Sequence, residues 1–137
     1  MTSVKDCLEE TISILRIENP DSFNEILSIG KGMHIGVKYG SDQLLVEITG
    51  FDVLINEDAQ IPSTFDFWCF INPQTFFDLL ESRVSLFNAI WSENLEILAD
   101  PENLLKTYRI VEIVLLAVMG SPAFTKAILS LKQSSLP

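Results

Sequence analysis

One histidine, two cysteines and nine basic residues are all that this 137-residue chain offers to several common chemistries, and each shortage removes a class of function. Nineteen acidic side chains outnumber the lysines and arginines, for a formal net charge of -10 spread along the chain. A phosphate backbone is repelled by such a surface, and no basic platform with interleaved aromatics is present, so nucleic acid is excluded as a partner. An anionic bilayer is disfavoured for the same reason, although a neutral lipid carried inside the protein would not feel that charge. Cys7 and Cys69 fall in an amphipathic helix and a strand, where each reads as a small core residue. With no CxxC or Cys/His spacing, no metal or cofactor is expected. His34 stands on a strand beside glycine and lysine positions, with no GxSxG, HExxH or glycine-rich phosphate loop in the chain. A general base needs more around it than that, so no catalytic residue is assigned and no enzyme is expected.

No apolar run approaches the ~20 residues of a membrane-spanning helix. The first ten residues, MTSVKDCLEE, lack the basic flank and greasy core of a signal segment. The expectation is a cytoplasmic protein that is not integral to a membrane. What is present is a core: 47% of residues are hydrophobic, enough for a single domain over residues 1–137 that buries roughly two thirds of its unfolded surface.

The hydrophobic period decides the elements. Val4 to Arg16 places Val4, Cys7, Leu8, Thr11, Ile12, Ile14 and Leu15 on one helical face, and Asn19-Pro20 ends that helix. Asp21-Ser22 opens a short second helix carrying Phe23, Ile26 and Leu27. From Met33 the period becomes two, with Met33, Ile35, Val37 and Tyr39 opposed to His34, Gly36 and Lys38. Gly40-Ser41-Asp42 closes a hairpin onto a strand from Gln43 to Thr49, and alternation resumes at Phe51, Val53 and Ile55. Glu57 to Ser63 reads as a loop, and Glu9-Glu10 and Glu57-Asp58 as solvated charge. The strand Phe65 to Ile71 is greasy on both sides, which predicts cover on both sides. Helices over Pro73–Ser82 and Val84–Ser92, a strand over Asn94–Leu98, a long helix and a last helix from Ser121-Pro122 complete the chain. Asn72-Pro73 and Asp100-Pro101 mark two helix starts, each with a capping side chain before a residue that needs no amide partner.

That order is α+β, and several stretches resemble the sterol carrier protein type two family. ENLEILAD at Glu93 to Asp100 is similar to the family's signature strand, with Leu95, Ile97 and Asp100 matching. FDFWCFINP, TFFDLLES and SLFNAIWSE stand in the family's places and order. Glu93 and Ala99 replace the family's bracketing glycines, and Asn94 and Glu96 its usual basic residues. The resemblance implies a curved, mainly antiparallel sheet of about five strands covered by helices. It also implies an internal apolar tunnel for a sterol, fatty acid or fatty acyl chain.

Bulky side chains suited to line such a tunnel are Trp68, Phe70, Phe76, Phe77, Phe87, Trp91, Leu115, Leu116, Met119 and Phe124. Any one of them serves equally as core filling, since aromatic residues dominate cores. In the long helix Glu102, Arg109 and Glu112 share a polar stripe that Ile113 and Leu116 continue, so the segment Phe124 to Leu131 is expected to fold back as a cover. Arg109 and Tyr108 are placed to satisfy Glu112 on the helix surface. The leading reading is a lipid carrier. The second is a protein interaction module whose pocket is filled and which pairs with itself, as a homodimer, or with another protein; the third is a cofactor-free enzyme.

Overall fold

Alternation of period two from Met33 to Ile55 builds three of the five strands of the sheet in the computed structural model, which describes residues 2–57 and 65–136. The loop expected over Glu57–Ser63 lies outside the described residues except for Glu57 itself, as does the Asp58 half of the acidic pair. In chain order the elements are α1 (Val4–Glu18), α2 (Pro20–Gly30), β1 (His34–Tyr39), β2 (Asp42–Ile48), β3 (Val53–Glu57) and β4 (Phe67–Ile71). Then follow α3 (Pro73–Leu80), α4 (Leu86–Trp91), β5 (Leu95–Ala99), α5 (Pro101–Val118) and α6 (Pro122–Ser135). The sheet order is β3-β2-β1-β4-β5, with β1 and β4 parallel and the other three pairs antiparallel. The α+β class read from the element order and the mainly antiparallel sheet that the resemblance implies are both present.

Register sorts the strand residues into two faces. Ile35 is paired with Val46 and Phe67, and Val46 with Ile55, so all four share the face that meets the helices. Leu15, Ile26, Ile48, Ile110, Val118 and Phe124 complete that core, and a second cluster gathers Val4, Cys7, Tyr39, Leu44, Phe77 and Leu131. Each large side chain taken fully out of water contributes ~1.5 to 3 kcal/mol of transfer energy. On the other face Gly36 lies between Leu45 and Trp68, with Leu98 beyond.

The helix starts are set by local chemistry. Ser3 and Asp6 form a reciprocal capping box on α1, and the Ser3 amide holds the Asp6 carboxyl below its ordinary range. Asn72 Oδ1 accepts from the Thr75 amide at 2.8 Å ahead of Pro73, and Asp100 Oδ1 accepts from the Asn103 amide at 2.9 Å ahead of Pro101. Gly40 takes a left-handed φ of 61° in the β1–β2 hairpin, a conformation that costs glycine nothing.

Two expectations are revised. The two helices expected over Pro73–Ser82 and Val84–Ser92 are both present but shorter, because Ser82 turns to a left-handed φ of 58° and Ser85 recaps α4. The terminal helix does not fold back over α5. The two meet at a 113° bend, and α6 packs against α1 and α3. Ser121 Oγ donates to Glu18 at 3.1 Å and Asn19 Nδ2 to the Ala117 carbonyl at 3.0 Å, pinning the bend to the end of α1. Lys132 reaches Glu81 at 2.6 Å and Tyr39 donates to Ser135 at 2.9 Å, fixing the far end on α3 and β1.

Candidate functional site

The ten bulky residues named from the sequence are not gathered around one cavity. Phe77 and Phe124 are core, in the two different clusters. Phe76 is half-buried between Tyr39 and Phe77, meeting both rings edge to face at 5.7 and 5.1 Å. Trp68 and Phe70 occupy the sheet face opposite to Cys69, half-buried. Cover for this side of β4 comes from its own sheet: the indole lies across Gly36, where a Cβ would sit 2.9 Å from Cδ1, and the Lys38 ammonium stands 6.0 Å from the Phe70 ring. Leu115 is half-buried on α5, and Leu116 and Met119 are exposed.

Phe87 and Trp91 do come together. They are one turn apart on α4, their rings stacked at 6.1 Å, and they are 70% and 79% exposed. Leu86 and Ile90 are exposed on the same short helix, and only Ala89 is buried. Helix α4 packs against the edge strand β5, which presents Leu98 to solvent. Four bulky residues in a six-residue helix with so little of it buried form the clearest candidate ligand surface.

A second apolar surface lies on α5, of which sequence reasoning singled out Leu116 but missed the greater part. Turning 100° per residue, Thr107, Ile110, Ile113 and Val118 face inward and are buried. Leu104, Leu105, Tyr108, Val111, Leu116 and Met119 face outward and are exposed. Ile113 and Leu116, expected under one cover, are thus divided between the two sides. The available signal was that IVEIVLLAV is apolar all round, a pattern that belongs to helices covered on every side. On the outward side Glu112 is held by Arg109 at 2.6 Å, and Arg109 also reaches Glu25 at 3.3 Å.

Two open clefts lie elsewhere, one of about 320 Å³ at Thr2, Tyr39, Pro73 and Leu131, the other of about 420 Å³ between Ile12, Arg16 and residues 53–56. None of the ten residues lines either. His34 sits beside Asp66, whose Oδ2 accepts the His34 amide at 2.8 Å and lies 3.9 Å from Nδ1; both residues are half-buried. Both thiols are free. Burial pushes Cys7 up to about 11 and Cys69 up to about 12, so neither is a ready nucleophile at neutral pH. Thr107 Oγ1 is, among the described residues, a buried side-chain oxygen with no hydrogen-bond partner. No single helix among the described residues is long and apolar enough to cross a membrane.

The architecture matches solved structures closely enough to define the fold. A UbiJ-SCP2 ubiquinone synthesis protein superposes with a TM-score of 0.58 over 85% of this chain and 98% of its own, at 13% identity. Sterol carrier protein 2 from Yarrowia lipolytica, in its apo form, gives 0.57 over 83% and 88%, at 12% identity. The sterol carrier protein domain 2 of Helicoverpa armigera gives 0.56 over 80% and 88%, also at 12% identity. The chain therefore has the SCP2-like fold. No protein-family model and no curated protein sequence matches it.

Proposed function

We propose that this chain is a lipid-binding carrier domain, one SCP2-like unit over residues 1–137 that takes up a fatty acid, sterol or fatty acyl chain. The observation that carries the reading is the stacked, exposed pair Phe87 and Trp91 on α4, standing beside β5 in a fold shared with sterol carrier proteins. Rings left in water in this way gain from any apolar chain laid against them. In this reading α4 closes on the ligand and completes an apolar tunnel. Binding and not catalysis is the proposed activity, in the cytoplasm, where Cys7 and Cys69 stay reduced.

A 14-carbon chain offers on the order of 11 kcal/mol of gross transfer energy at ~0.8 per methylene, and association costs reduce this to about micromolar affinity. Titration with a fluorescent fatty acid is expected to saturate in that range with little dependence on salt, because the contacts are apolar. Native mass spectrometry of the gently purified protein is expected to show a co-purifying lipid. Absence of any saturable signal up to the solubility limit refutes the carrier reading.

A further inference from the structure

Helix α5 has two apolar faces and only one of them is covered. The inward face packs on α2, β4 and β5. The outward face leaves Leu105 69%, Tyr108 59%, Leu116 78% and Met119 61% exposed. Large side chains offer on the order of 150–250 Å² each, so with Leu104 and Val111 the uncovered apolar surface is roughly 600 Å². That is at the upper limit of what a monomer leaves in water, and most of the ~800 Å² that each partner contributes to a standard protein interface.

We propose that the partner is a second copy of this chain, with the two α5 helices packed antiparallel about a two-fold axis near residue 110. The spacing fits that pairing. Leu105, Tyr108, Glu112, Leu115 and Met119 follow each other at alternating intervals of three and four, the repeat of a helix seam. About that axis Leu105 of one copy meets Leu115 of the other, and Tyr108 meets Glu112. The arrangement is isologous, each contact occurring twice.

Glu112 decides between a second copy and a bilayer. It is the one charge within the stripe, and burying it unpaired would be costly. Arg109, shared with Glu25 at 3.3 Å, partners it from the same helix at 2.6 Å. In the dimer the Tyr108 phenol of the other copy donates to the remaining carboxylate lone pairs, whereas hydrocarbon offers no donor. A single satisfied polar residue in such a seam also fixes its register. The net charge of -10 adds no attraction to a phospholipid surface.

The test is sedimentation velocity and light scattering on the full chain from about 1 to about 100 µM, with Leu105→Glu and Leu116→Glu beside the wild type. The wild type is expected at twice its 15.4 kDa mass. Each variant is expected as a monomer with an unaltered far-ultraviolet spectrum. Loss of one central anchor weakens an interface roughly 30-fold, and the two-fold squares it to about a thousand. Leu116→Gln, uncharged, serves if either glutamate variant fails to fold. A wild type that stays monomeric throughout, or variants that dimerise as it does, overturns the proposal. So does a monomeric wild type that floats with phosphatidylcholine vesicles, which assigns the face to a bilayer. Fluorescent fatty acid binding by the monomeric Leu105→Glu chain reads the carrier function separately, so either conclusion can fail alone.

Discussion

Removing the α4 ring pair separates binding from folding. Phe87 and Trp91 are 70% and 79% exposed, so truncating both to alanine takes little from the core. Their mutual stacking is worth ~0.5 to 1.5 kcal/mol, and alanine returns some of that through its higher helix propensity. The double variant Phe87→Ala/Trp91→Ala should therefore unfold within about 1 kcal/mol of the wild type. Its effect on an apolar ligand is larger. Each ring has roughly 150 Å² free, and a ligand covering half of it removes about 75 Å² per ring, or ~2 kcal/mol at 25 cal/mol per Å². Discounting for the mobility of a short helix, the pair together contributes at least ~2 kcal/mol, a loss of about 30-fold in affinity. Urea unfolding is followed by Trp68, the only tryptophan that then remains, and binding by displacement of a fluorescent fatty acid. Unchanged affinity with unchanged stability refutes the assignment of α4 as the ligand surface. A loss of several kcal/mol in stability shows that the rings pack in solution and refutes the premise that they are free.

Three further outcomes are expected. Glu93 holds a left-handed φ of 63° at the entrance to β5, a conformation that costs a residue with a Cβ ~1 to 2 kcal/mol, so Glu93→Gly should raise stability by about 1 kcal/mol in urea melts. Thr107→Val removes a buried hydroxyl without a partner and should be neutral or stabilising by up to about 1 kcal/mol; a destabilised variant shows that the hydroxyl is satisfied after all. With Cys7 raised from 9.0 to about 11 and Cys69 from 9.0 to about 12, the native state keeps protons that the unfolded chain releases. Stability from these thiols is thus intact below pH about 9 and declines as pH rises toward 11 and 12, while iodoacetamide labelling of the native protein at neutral pH should be far slower than after unfolding. Equal labelling rates in the two states count against burial of the thiols.

Much of the fold was legible because local chemistry fixes it. Asn72-Pro73 and Asp100-Pro101 are capping signals that need no tertiary partner, and both begin helices where the chain says they should. The period-two run through Met33, Ile35, Val37 and Tyr39 set the core side of β1, and the ENLEILAD stretch marked β5 and its turn into α5. Glu93, standing where the resembled family has glycine, does adopt the backbone that favours glycine.

The surfaces were decided elsewhere. Amphipathic spacing says which residues of Phe124–Leu131 share a face, and nothing about which neighbour that face meets; hydrogen bonds from Ser121 to Glu18 and from Asn19 to Ala117 turned α6 toward α1 and left Leu116 in water. Strand alternation separated Trp68 and Phe70 from the helices, because a period of two places neighbours on opposite sides however apolar both are. The chain by itself determined its elements and most of its core, since these rest on contacts within a few residues and on the wish of apolar side chains to leave water. Which apolar residues find cover depends on sheet order and helix direction. Those are set by long-range packing, and here it left Phe87, Trp91 and the outer face of α5 open.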